Sequence, residues 1–224
     1  MTCKVPAREN QLPQLAVSIE SYYAFYDTIT TVTILILASS SHYRGRVLEK
    51  LGLPFQQVTP AVDESPETGE TPVQLVERLA QLKAQAVAAS HPNAVIISSD
   101  QVAVCADEVL GKPLSEPRAR AQLAQLSGQR VTFLTSLCVL NSANGNQQLE
   151  VVRTPVEFRK LSEDEIANYV AREQPLDCAG AFKSEGLGIA LFKTIGGSDP
   201  NALVGLPLIS LCRMLRAEGI EVLG

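Results

Sequence analysis

"TILILASSSHYRGRVLEKLG" (residues 33–52) changes character halfway along. Thr33 to Ser39 is a continuous apolar, β-rich run, the pattern of a strand covered on both faces. A helix follows to Leu51, with Val47, Leu48 and Leu51 on its inner side and Gly52 at its end. Between them stand Ser39, Ser40 and Ser41, with Arg44 and Arg46 in the next turn. A plain strand-to-helix connection needs one capping residue. Here hydroxyls, free helix N–H groups and guanidinium groups share one spot, which suits an anion. The alternative is that Ser41 only caps the helix and the arginines are solvated.

The same strand–helix alternation continues along the chain. "FQQVTP" reads as a second strand, followed by the acidic loop "AVDESPETGE". Thr71 and Gln74 form a capping box with proline at the first helical position, and this helix runs to about Ser90. "AVIISSD" (94–100) is a third strand ending on polar residues, and "QVAVC" continues extended. Ser115 caps a helix that stops at Ser127-Gly128. Residues 130–158 read as a long hairpin around the Asn144-Gly145 turn. Ser162 and Glu165 make another capping box, opening a helix to about Arg172, and a last helix spans roughly Leu206 to Glu218. Alternating elements with one antiparallel hairpin predict an α/β fold with a mixed sheet flanked by helices.

The chain has 224 residues, enough for a substantial core, and 46% of them are hydrophobic. No apolar run has the length of a membrane-spanning helix. A net charge of −5 argues against a general nucleic-acid surface, so anionic ligands need a local cluster of cations. The five cysteines (Cys3, Cys105, Cys138, Cys178, Cys212) form no C-x-x-C pair and read as reduced thiols of a cytoplasmic protein. With only His42 and His91, a His-rich metal site is excluded. Residues 1–33 lack the core of a signal peptide, because Glu9, Glu20 and Asp27 interrupt their apolar residues. They read as a disordered or dispensable leader, or a short extra helix, with the functional domain at 34–224.

Ligands of open α/β sheets sit beyond the carboxyl ends of strands. If the first and third strands are neighbours, Ser39 and Asp100 face one crevice. Lys83 falls on the apolar helical stripe of Val73, Val76, Ala80 and Val87. Such a lysine either snorkels out at the edge or points into a cavity. Asp63-Glu64 lies in the acidic loop, and Lys112 follows a turn in "EVLGKP". Taken singly, the acidic pair is a solvated loop and Asp100 a turn residue. Taken together, carboxylates with two lysines and an arginine describe a metal-assisted polyphosphate site. One or two of the carboxylates Asp63, Glu64 and Asp100 would hold Mg²⁺ or Mn²⁺ jointly with the substrate's own phosphates.

The blocks "LILASSSHYRGRVLEKLGLPF", "VDESP", "RLAQLKAQAVA", "IISSDQVAV", "EVLGKP", "LSGQRVTF", "DCAGAFKSEGLG" and "NALVGLPL" occur in this order. From residue 34 to about 219 they resemble the Maf family of nucleotide pyrophosphatases, once named septum-formation inhibitors. They are most similar to its subfamily acting on 7-methyl-GTP. The resemblance implies an inosine-triphosphatase-like mixed sheet in two lobes around an active-site cleft, often as a homodimer. It implies divalent-metal-dependent hydrolysis of a nucleoside triphosphate to the monophosphate and pyrophosphate. Asp100 matches the general base and Glu64 a catalytic acidic position, with Lys83 also in the catalytic group. Ser39, Arg44 and Lys112 match substrate-binding positions around the phosphates. Tyr43, Gln101 and Glu185 match positions linked to base specificity. An aromatic face and a carboxylate suit the cationic N7-methylated guanine; otherwise Tyr43 is core packing and Glu185 a salt-bridge partner.

Three residues depart from the family pattern, the first being Tyr43 where Trp is usual. His42 replaces a usual proline, and Arg44-Gly45 replaces paired arginines. Arg46 is no substitute, since one step along a helix rotates a side chain by about 100°. Weaker phosphate binding or a less rigid helix is the expectation. The alternatives to 7-methyl-GTP are dTTP, UTP or CTP as substrate, or a non-catalytic nucleotide-binding regulator of cell division.

Overall fold

The computed structural model describes residues 34–106 and 108–224. The proposed leader, residues 1–33, lies outside the described residues. Strand β1 (Ile34–Ala38) leads into α1 (His42–Glu49), β2 (Gln56–Val58) and α2 (Pro72–Ala88). Next come β3 (Ala94–Cys105), β4 (Glu108–Leu110) and α3 (Glu116–Leu126). The hairpin of β5 (Arg130–Asn141) and β6 (Gln147–Phe158) is followed by α4 (Glu163–Glu173), β7 (Phe192–Ile195) and α5 (Leu208–Ala217). The sheet order is β2-β1-β3-β5-β6-β7, with β4 paired to β3. β1 is parallel to β2 and β3, while the remaining pairs are antiparallel. This is the mixed α/β sheet that the alternation of elements predicts.

The strand periodicity of two sorts the apolar residues of β1 and β3 onto opposite faces. Leu35, Leu37, Val95 and Ile97 pack with Leu48 of α1 and Leu211 of α5. Ile36, Ala38, Ala94 and Ile96 pack with Ala80, Ala84 and Val87 of α2. The far halves of β3, β5 and β6 carry a second apolar mass, where Phe133 and Phe158 meet Leu123 and Leu126 of α3 and Val170 of α4. These apolar masses are built on the same long strands, β3 and β5. Phe182 and Phe192 join the second core edge-on to Phe158, with ring centroids 6.0 and 5.0 Å away. Each such pair contributes about 0.5–1.5 kcal/mol beyond area burial, so the 182–192 segment is anchored at both ends.

Several boundaries differ from the sequence reading. β3 does not stop at Asp100 but runs on to Cys105, because β5 pairs with it from Val95 through Val104. Its polar middle is tolerated because Ser98 Oγ donates to Ala80 O at 2.6 Å and Ser99 Oγ to Gly205 O at 2.7 Å. The hairpin closes through a wider loop than a two-residue turn, with Asn141 N bonded to Asn146 O at 2.8 Å and Gly145 at φ 76°. The last helix starts at Leu208, where Asp199 accepts the Ile209 N–H at 2.6 Å. Both capping boxes form as read, at Thr71 and Ser162; Ser115 takes the N-cap position but its hydroxyl makes no capping bond. The four described cysteines are free thiols. Among the described residues no helix is long and apolar enough to cross a membrane.

Candidate active site

The parallel pairing of β1 with β3 ends at Ala38 opposite Ser98, and on that side β3 is next paired only from Ala103, by β4. The chain of β1 turns away into Ser39–Ser41 and the N-terminus of α1. A cleft of about 580 Å³ opens where the two strands part. All nine residues singled out from the sequence line it: Ser39, Tyr43, Arg44, Glu64, Lys83, Asp100, Gln101, Lys112 and Glu185. Asp100 therefore reaches the cleft from mid-strand rather than from a strand end.

At its floor Lys83 Nζ lies 2.6 Å from Asp100 Oδ1 and 3.0 Å from Glu64 Oε1. Lys83 is only 4% exposed, so it points inward and does not snorkel. Two buried hydroxyls seat α2 against the sheet: Ser98 donates to Ala80 O, and Ser136 donates to Val76 O at 2.7 Å. Ser136 Oγ also accepts the Asp100 N–H at 3.0 Å, which ties the helix bearing Lys83 to the strand bearing Asp100. Sequence reading missed both serines, since a buried serine carries no local signal of its carbonyl partner.

Glu64 is the exposed member of the triad, and its loop is held by Arg78 from α2. Arg78 pairs with both oxygens of Glu70, at 2.6 and 2.8 Å, and donates to Ser65 O at 3.0 Å. The Arg78 hydrogen bonds hold the Glu70 carboxyl at about 2, so this clamp stays charged well below neutral pH. Asp63 has no place in the triad; its Oδ1 accepts the Ser65 N–H at 2.9 Å.

A second group of hydrogen-bond donors lines the same cleft. Ser41 caps α1 by accepting the Arg44 N–H, and the first-turn N–H groups have no carbonyl inside the helix. Arg44 Nε donates to Gly205 O at 2.9 Å, and Nη1 lies 3.4 Å from Ser39 Oγ. Burial pulls its pKa below the usual arginine value, while Asp100 and Glu64 oppose that shift. The guanidinium stays charged regardless. Gly205 O accepts from Ser99 as well, so one carbonyl fixes Arg44 to β3. Arg46 is exposed on the other side of α1 and contributes nothing to the cleft. Lys112 stands exposed on the rim, in a loop closed by the Leu114 N–H bond to Leu176 O at 2.9 Å. Among the described residues Lys112 has no ion-pair partner.

At the other end, the Tyr43 ring has the His42 ring at 3.8 Å and Lys183 Nζ at 5.8 Å from its centroid. Lys183 is fixed by Glu173 O at 3.0 Å and Gln174 O at 3.3 Å, the C-terminal carbonyls of α4. Burial first, then the neighbouring Cys178 and Asp177, raises the Tyr43 hydroxyl pKa, so it remains a neutral phenol. Cys178 is pushed up to about 12, chiefly by burial, and stays a thiol. Gln101 spends its amide N–H groups on Thr135 Oγ1 at 2.7 Å and Ala202 O at 2.9 Å. Its carbonyl oxygen takes no hydrogen bond among the described residues. Glu185 is exposed, with the Ser184 hydroxyl 3.4 Å away and no cation paired to it among the described residues.

A family profile described as Maf-like protein matches residues 34–218. The 7-methyl-GTP pyrophosphatase of Pseudomonas putida is 54% identical over 188 residues, covering 84% of this chain and 98% of that protein. Among solved structures, the Staphylococcus aureus Ham1 protein superposes with a TM-score of 0.48 at 15% identity, covering 83% of this chain and all of that one. Extending over nearly the whole described region, the profile match and the identity across almost the full length of the relative establish that this chain belongs to the Maf family.

Proposed function

We propose that the chain is a nucleoside triphosphate pyrophosphatase that hydrolyses 7-methyl-GTP to 7-methyl-GMP and pyrophosphate. The observation that carries this reading is one cleft holding the Glu64–Lys83–Asp100 triad on its floor and Arg44 with the α1 N-terminus on its wall. A cleft of about 580 Å³ is in the range that nucleotide-sized ligands fill. Ser39, Arg44, Lys112 and the first-turn N–H groups of α1 bind the phosphate chain. Asp100 takes the proton of the attacking water. The water oxygen bonds to phosphorus as the bridging P–O bond between the α and β phosphates breaks, and pyrophosphate leaves. Lys83 orients both carboxylates and offsets charge building on the phosphates.

The donor set fits a hard divalent cation. Glu64 and Asp100 supply carboxylate oxygens, and no group of three or more acidic, histidine or cysteine residues stands ready as a cage among the described residues. Mg²⁺ or Mn²⁺ bind in this manner, through one or two carboxylates and the substrate's phosphates. When bound, such an ion neutralises phosphate charge and aligns the chain for in-line displacement. Product analysis tests the reaction: 7-methyl-GTP yields equimolar 7-methyl-GMP and pyrophosphate by anion-exchange chromatography. Orthophosphate with the diphosphate would overturn the reading.

Base choice rests on Glu185 and Tyr43. A carboxylate accepts from the N–H groups of the guanine Watson–Crick edge and attracts the methylated, cationic ring. Glu185→Gln lowers kcat/KM for 7-methyl-GTP more than for UTP, a discrimination loss of about 1–3 kcal/mol. Tyr43→Ala acts in the same direction through lost stacking. Equal losses on both nucleotides would assign the two residues to scaffolding.

Residues 34–224 carry the whole activity in this account, and free thiols fit a reducing cytoplasm. Deleting residues 1–33 leaves specific activity and Tm nearly unchanged, read by pyrophosphate release and a thermal melt. A large loss of either would place functional residues in the leader.

A further inference from the structure

Gly45 lies inside α1, where glycine costs a helix about 1 kcal/mol relative to alanine. It is buried, and its backbone does not require glycine, since it is absent from the positive-φ positions. What stands where a side chain would go is Gln57 from β2: a Cβ on Gly45 would meet Gln57 Oε1 at 2.7 Å. The Gln57 amide uses its other end. Nε2 donates to Ser39 O at 2.8 Å and to Ser41 O at 3.1 Å. β2 has no need of these bonds to stay in place, because its backbone already pairs with β1 from Ile36↔Gln56 to Ala38↔Val58.

Both acceptors belong to the connection between β1 and α1. In a trans peptide the carbonyl and the following N–H point in opposite directions. Holding Ser39 O on the β2 side therefore turns the Ser40 N–H the other way, while Ser41 O shares the Gln57 amide with the first helix bond, from the Gly45 N–H at 3.3 Å. On that other side Ser39 Oγ meets Arg44 Nη1 at 3.4 Å, and Ser39, Ser40, Ser41 and His42 all line the cleft.

We propose that Gln57 is a positioning residue for the phosphates of the nucleotide, and that Gly45 is small so that Gln57 can be seated. The proposal rests on the reading of the cleft as a triphosphate site. It also accounts for a chain with glycine after Arg44: the loop is ordered by an amide from β2 instead of by a second side chain from α1.

Gly45→Ala, Gln57→Met and the double variant test this in the full chain. KM for 7-methyl-GTP is read with Kd for inorganic tripolyphosphate by calorimetry, alongside thermal melts. Gln57→Met keeps the length of the side chain but loses the donor. It raises both KM and Kd roughly tenfold, the worth of one to two neutral hydrogen bonds, with kcat little changed. Gly45→Ala moves KM and Kd in the same direction while Tm holds or rises through better helix propensity. A role in stability alone would lower Tm and leave KM where it was. The double variant binds no more weakly than Gln57→Met, because both changes remove the same contact. Unchanged Kd and KM in both single variants, or additive losses in the double, would overturn the proposal. Weakened tripolyphosphate binding in an enzyme that releases no pyrophosphate would support Gln57 while removing the proposed reaction. A wild-type chain that binds no tripolyphosphate would overturn both.

Discussion

Asp100→Asn abolishes pyrophosphate release and leaves the fold intact. The amide keeps the shape of the carboxylate but cannot take up the water proton, and losing a general base typically costs on the order of 10²–10⁴ in rate. The fold survives because Glu64 remains 3.0 Å from Lys83, so the buried ammonium keeps one partner. The Asp100 N–H bond to Ser136 involves the backbone and is untouched by the change. Circular dichroism matching wild type with activity down at least a hundredfold, roughly the lower bound of that range, is the outcome to look for. Activity within a few-fold of wild type would reduce Asp100 to a structural partner of Lys83.

Lys83→Met separates catalysis from stability at the same spot. It leaves Asp100, with its side chain 10% exposed, as a carboxylate without its cation. Removing one partner of a buried pair typically costs about 3–5 kcal/mol. The lower end applies here, because Asp100 borders the cleft and Glu64 is 54% exposed. Turnover falls on the order of 10²-fold or more, since a preorganised charge facing the phosphates is gone. Adding Asp100→Asn to Lys83→Met restores most of the stability by removing the orphaned charge, yet restores no activity. Urea unfolding gives the first quantity and pyrophosphate release the second. A Lys83→Met protein with wild-type turnover would make the lysine a packing residue.

How much of this was legible in the sequence depended on the range of the interaction. Thr71-Gln74 and Ser162-Glu165 declare their helices because a capping box is complete within four residues. Lys83 stood out because a charge on an apolar helical stripe violates a periodic pattern. The β1–α1 connection was readable for the same local reason. Ser98-Ser99-Asp100 reads as the polar end of one strand, with "QVAVC" extended beyond it. Pairing with β5, distant in sequence, carries the strand through it. β7 was missed altogether, as a short edge strand with three of its four residues exposed has no alternation to show.

Within the site, residue identity was easier to read than residue employment. Gln101 lines the cleft as expected, but its amide N–H groups are committed to the 202–204 turn, a partnership spanning about half the chain. Tyr43 does so too, but beside its ring stands Lys183, which no spacing rule brings to it. Gly45 looked like a lost arginine from one dimension. In three dimensions it is the space occupied by Gln57.

The decisive measurement is pyrophosphate release by the full chain from 7-methyl-GTP, GTP, dTTP, UTP and CTP, each with Mg²⁺ or Mn²⁺ and each with a chelator. The account predicts metal-dependent release with the highest kcat/KM for 7-methyl-GTP, lost in Asp100→Asn. A higher kcat/KM for dTTP, UTP or CTP would contradict the reading of Glu185 and Tyr43 as selecting a cationic guanine. Nucleotide binding without pyrophosphate release from any of them would contradict catalysis itself and leave a nucleotide-binding regulator in its place.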